Sequence, residues 1–248
     1  ISRGIRQGCP ISALLFLLVV EIMACHIRNN QSVKGIPLVD GNSIVISQLA
    51  DDTTLFLSDI NSLQNCLDFI TTFSETSGLK LNTDKSEAFW IGSKVYSQEK
   101  PCGLKWTNEY IKCLGIWCGP DIEGAINKNF VEKLAALRRF INMWSSRNLS
   151  IKGRIAVLRS LVLPQILYPA SVLYVPDWVT EDVDSLFFKY IWPSKTHVKR
   201  EVIIKEIRKG GLKMPLFSTF LKALKCTWVK RLVNRSDSRN LIIDQLVK

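Results

Sequence analysis

The stretch "QLADDTTLFL", residues 48–57, sets two adjacent carboxylates, Asp51 and Asp52, inside a run of apolar and β-favouring residues. Burying one unpaired carboxylate is costly, and two side by side also repel each other. The flanking segments offer a way out. "SIVISQ" at 43–48 and "TTLFL" at 53–57 alternate and are rich in β-branched residues. They read as two strands joined through Ala50-Asp51-Asp52, a hairpin with the aspartates at its tip. A hairpin tip is half-open, and carboxylates there can reach a metal.

The surroundings define an α+β chain. A helix is expected over Ile11–Ile27, opened by Pro10, and a short strand over Val33–Leu38, followed by a turn at Asp40-Gly41-Asn42. A second helix fits Ser62–Ser77, with Ser58 or Asp59 near its N-cap and Gly78 just past its end. Leu79–Ile91 and Tyr110–Trp117 read as extended. After Pro120 the pattern turns helical, beginning with Ile122–Asn148, whose apolar residues at 126, 130, 134, 137, 141 and 144 form a stripe. Ser150 caps a following helix that Pro164 should stop near Leu163. Further helices fit Glu181–Trp192 and Leu216–Val233. The class is a partial antiparallel sheet with helices, then an all-helical region, with the change near residues 118–122.

Composition limits the function classes. With 248 residues, 47% hydrophobic and 22% charged, the chain is globular rather than disordered. The apolar run Ile11–Val20 is too short to span a bilayer and reads as a buried core helix, so no membrane role is expected. Seven cysteines without a CxxC pair suggest reduced thiols, hence an intracellular setting in nucleus or cytoplasm. Residues 195–248 carry 14 Lys and Arg against 4 Asp and Glu, a net +10 of the chain's +11. Such asymmetry suits a polyanion. Lys222, Lys225, Lys230 and Arg231 on the last helix are the candidate backbone contacts. A solvated basic face is the alternative.

Paired carboxylates with no His and no Ser or Cys nucleophile beside them suit Mg²⁺, a hard ion that keeps waters and substrate phosphates in its shell. Taken alone, Asp-Asp reads more readily as a solvated turn pair. Its neighbours add to it. "RGIRQGCPISALLF" at 3–16 resembles the motif that reverse transcriptases carry before the helix under the template. "LADDTTLF" is similar to their catalytic hairpin, "SGLKLNTDKSE" at 77–87 to the following motif with its lysine, and "YIKCLGIW" at 110–117 to their primer-grip turn. The nearest resemblance is to polymerases of LINE-type non-LTR retrotransposons. Their helical thumb often carries Gly-Arg, Leu-Pro and Tyr, here Gly153-Arg154, Leu163-Pro164 and Tyr168. A downstream Gly-Gly-Leu with Pro follows, here Gly210-Gly211-Leu212 and Pro215.

The resemblance implies an RNA-directed DNA polymerase working with Mg²⁺ (or Mn²⁺) on an RNA template, a DNA primer and deoxynucleoside triphosphates. Asp51 and Asp52 would be metal ligands, and Lys85 would serve the leaving pyrophosphate. Arg6, Gln7 and Gly8 would face nucleotide and template, with Gly8 leaving room for close backbone approach. Leu114 and Gly115 would hold the primer end. The expected regions are a partial palm over 1–119, a thumb-like region over 120–194 and a basic downstream region over 195–248. The family takes a third carboxylate from a strand upstream of the Gln-Gly motif, where this chain begins. The chain is therefore expected to be a fragment, inactive alone. Two other readings share the motifs: a non-catalytic nucleic-acid-binding remnant, and a group II intron maturase fragment. Maturases more usually place Tyr where this chain has Leu49. Oligomeric state is left open.

Overall fold

The computed structural model describes residues 8–38, 41–193 and 198–233, the last three by backbone alone. They fall into two compact units that divide between Asn108 and Glu109. The first contains α1 (Ser12–Asn29), β1 (Ile36–Pro37), β2 (Ser43–Ile44), β3 (Ile46–Leu49), β4 (Asp52–Leu55), α2 (Ile60–Ser77), β5 (Glu87–Ala88) and β6 (Lys105–Trp106). The pairs β1–β2 and β3–β4 are antiparallel, and β5–β6 is parallel.

Local chemistry explains α2. The Asp59 carboxylate accepts the Ser62 N–H at 2.7 Å, and Gly78, at φ 76°, turns the chain out while its N–H reaches the Ser74 carbonyl at 3.0 Å. Val33, Val45, Cys66 and Ile70 pack with Ile27 of α1 into a small core. Burial pushes the Cys66 thiol up to about 11, so it stays protonated and inert. All seven cysteines are free thiols.

Two expectations for this unit change. The helix after Pro10 forms, but it is not a buried core helix. Only Val20, Ala24 and Ile27 are buried, while Leu14, Leu17, Leu18 and Ile22 are each more than half exposed. Most of the helix is apolar, and α2 and β3 pack against one side of it. It is also one of two helical runs, with 151–172, that are long and apolar enough to cross a membrane by length and composition. Residues 79–91 are mostly not strand. Asn82 accepts the Lys85 N–H with its side chain and closes a tight turn over Thr83–Lys85, a local bond that competes with extended pairing.

The second unit opens with the antiparallel pair β7 (Ile111–Cys113) and β8 (Ile116–Cys118). Helices α3 (Ile122–Ser145), α4 (Ile151–Val157), α5 (Leu163–Val172), α6 (Asp177–Ile191), α7 (Arg200–Ile204) and α8 (Phe217–Val233) follow. The predicted stripe on α3 is the core side, with Phe130, Leu134, Leu137 and Ile141 buried against Leu158, Ile166, Val183, Phe187 and Phe217. Asp121 and Ser150 cap α3 and α4. Pro164 does not stop the chain. A π-turn over Leu158–Val162 links α4 to α5, and Pro164 then sits in the first turn of α5, where its missing N–H costs little. Further on, a Cβ at Gly211 would lie 2.0 Å from the Lys205 carbonyl oxygen, so only glycine fits.

Candidate active site

The carboxylate hairpin has the expected form. Leu49 pairs with Asp52, which leaves Ala50 and Asp51 as a two-residue connection. Ala50 has φ 53°, the positive value at the first loop position that a type II′ turn requires. An alanine pays strain for it, and backbone strain of this kind gathers at working sites. Asp51 and Asp52 are both exposed, and among the described residues neither has an ion-pair partner. Behind them the Gln48 amide donates to the Thr53 hydroxyl at 3.2 Å across the ladder.

Two exposed carboxylates at one tip, with no competing cation among the described residues, form a hard oxygen donor pair. That donor set suits Mg²⁺, which takes one or two protein carboxylates and fills its shell with water and substrate phosphate. Among the described residues no group of three or more His, Cys, Asp or Glu could hold a metal ion. Glu21 does not add a third ligand. It is held by Arg28 at 2.9 Å, and that bond keeps its carboxyl below the usual range.

The other predicted residues are placed as follows. Gly8 is exposed at φ 88°, with open space where a Cβ would stand. Arg6 and Gln7 lie outside the described residues. Lys85 ends the tight turn after Asn82 and is exposed. Gly8, Asp51, Asp52 and Lys85 all belong to the first unit, whereas Leu114, Gly115 and the basic helix belong to the second. Lys222, Lys225 and Lys230 are exposed on α8. Arg231 has a helical backbone, and its side chain falls outside the described set, as do residues 194–197 and 234–248 of the basic region.

The hairpin of β7 and β8 is the most tightly held of these features. Cys113 pairs with Ile116, so Leu114-Gly115 is a two-residue turn, with φ 49° and 80°. Two successive positive φ values are the sign of a type I′ turn, which favours Asn-Gly. Leu in the first position costs about 1–2 kcal/mol. Three side chains hold the hairpin, and two of them, Asn129 and Tyr168, lie outside the motif that marks it. Tyr168 of α5 donates its hydroxyl to the Leu114 carbonyl. Asn129 of α3 is 3% exposed and clamps Trp117 from both sides, accepting its N–H at 2.9 Å and donating to its carbonyl at 2.8 Å. Tyr110 donates to Asp121 at 2.8 Å, and its ring occupies the space beside Gly119 and Gly124. A polar Asn next to an apolar stripe was the available sign for Asn129. Nothing local marks Tyr168 as a partner of residue 114.

Comparison with known proteins bears on residues 1–118, which match the family described as reverse transcriptase (RNA-dependent DNA polymerase). The chain is 27% identical over 215 residues to an uncharacterized 149 kDa protein of transposon TX1 from Xenopus laevis, covering 85% of the chain and 16% of that protein. It is 31% identical over 208 residues to the Pol polyprotein of the retrotransposable element R2DM of Drosophila melanogaster, covering 77% and 18%. To an R2 Pol polyprotein of Popillia japonica it is 23% identical over 227 residues, covering 86% and 31%. The chain thus spans between about a sixth and a third of these relatives' lengths.

Proposed function

Residues 1–118 belong to the reverse transcriptases of LINE-type non-LTR retrotransposons, and on that premise we propose that the chain is part of an enzyme that extends a DNA primer along an RNA template. Its substrates are deoxynucleoside triphosphates, and its setting is the nucleus or cytoplasm. The observation that carries the reading is the β3–β4 tip, where Asp51 and Asp52 stand exposed beside a strained Ala50 and have no ion-pair partner among the described residues.

Asp51 and Asp52 are the residues that hold Mg²⁺ or Mn²⁺ in this reading. When bound, two such ions would supply electrostatic stabilisation at the primer hydroxyl and the departing phosphate. Lys85, exposed and cationic, neutralises charge on the leaving pyrophosphate. Gly8 keeps backbone close to nucleotide and template without a side chain between them. The Leu114-Gly115 turn receives the primer end. Among the described residues no third carboxylate joins this pair, so the 248 residues alone bind nucleic acid without extending it.

The test is primer extension with Mg²⁺ by the full-length protein. Asp51→Asn removes charge and keeps volume. It abolishes extension while RNA–DNA binding and the melting curve hold, and Asp52→Asn has a milder effect. Extension by Asp51→Asn at more than a few percent of the parent rate rejects the assignment.

A further inference from the structure

Tyr168 stands 54 positions beyond Leu114, yet its hydroxyl reaches the carbonyl of that residue at the apex of the β7–β8 hairpin. Its ring edge lies 3.7 Å from where a Cβ on Gly115 would be, in ordinary contact with the glycine's open face. We propose that Tyr168 is a positioning residue that latches the Leu114-Gly115 turn in the shape that receives a primer 3′ end. The proposal rests on the reading of that turn as the primer grip.

Four observations converge on it. The turn does not enforce itself, because Leu114 takes a left-handed φ that a leucine disfavours. The hydroxyl bonds the carbonyl of that same residue, so the bond acts where the backbone most needs support. The rest of the hairpin is fixed independently, by Asn129 on Trp117 and by Tyr110 on Asp121, which leaves the apex as the part still to be held. Tyr168 is also 46% exposed, unlike its α5 neighbour Ile166, so core packing is not its main task.

The experiment measures binding of the 248-residue chain to two labelled RNA–DNA duplexes, one with a recessed DNA 3′ end on the RNA and one blunt. Tyr168→Phe keeps the ring and removes the hydroxyl. It weakens binding to the recessed end about three- to tenfold, the range for one hydrogen bond. Binding to the blunt duplex stays unchanged. Leu114→Asn, which takes the left-handed shape more readily, recovers part of the loss when combined with Tyr168→Phe. If the wild-type chain does not distinguish the two duplexes, the primer-grip reading falls and takes the latch with it. If the wild type distinguishes them and Tyr168→Phe does so equally well, the latch alone is wrong. Equal weakening on both duplexes together with a lower melting temperature makes Tyr168 a structural residue and also overturns the latch.

Discussion

Ala50 and Leu114 mark the two hairpin tips by the same signature, a positive φ on a residue that carries a Cβ. At Leu114 the strain can be relieved without touching the β-ladder. Leu114→Asn is expected to stabilise the second unit by about 0.5–1 kcal/mol, part of the cost of a left-handed leucine. Thermal unfolding followed by circular dichroism checks it, and an unchanged or lower melting temperature counts against the strain argument. At this scale the sequence was informative wherever the chemistry is local. Asp51 and Asp52 at a tip, Asp59 before a helix and Gly78 after it all follow from neighbours within a few residues. Asn129 and Tyr168 were not legible in their roles, because each acts on a backbone group 12 or 54 positions away, and no periodicity encodes such a partner.

Helix ends supply the prediction at the scale of elements. The Ser62 N–H bonded to Asp59, and the Gly124 N–H together with the Tyr110 hydroxyl bonded to Asp121, hold both carboxyls below their ordinary 3.8. A carboxyl whose folded pKa is depressed contributes stability that is present above the unfolded value and is lost as pH falls through the folded value. Helical signal should therefore be insensitive to these caps above about pH 4 and should fall below it. Asn caps a helix as well as Asp and does not titrate. The double variant Asp59→Asn, Asp121→Asn should accordingly lose less stability than the wild type between pH 4 and 2 in acid titrations at matched denaturant, and identical profiles would refute the assignment. The misread elements have equally physical causes. The apolar run of α1 specified a helix correctly but could not specify what covers it. Pro164 reads as a stop because a proline interrupts α-helical bonding, but a π-turn precedes it and it falls in the first turn of α5.

Across the whole molecule, charge and fold follow different boundaries. The basic excess begins near residue 195, whereas the compact units divide near residue 108. The exposed Lys222, Lys225 and Lys230 spread over roughly 140° of α8 at 3.6 residues per turn, a broad face suited to phosphates rather than to a base edge. Binding to RNA–DNA duplex should thus be indifferent to sequence and fall with salt at a log–log slope of about −3 to −5, as roughly four to six counterions are released. Replacing Lys222, Lys225, Lys230 and Arg231 by Gln should flatten that slope by about three to four units, and an unaltered slope in salt titrations would make the basic face a solubilising surface only. The β7–β8 hairpin meanwhile ends at Cys118, where the family match also ends, but its clamps sit on α3 and α5. A ribosome adding about 5–20 residues per second makes the turn roughly 3–11 s before it makes Tyr168. For that interval the nascent chain carries every residue of the turn without the hydroxyl that bonds its apex, so the hairpin is completed by translation of the helices and not by its own translation.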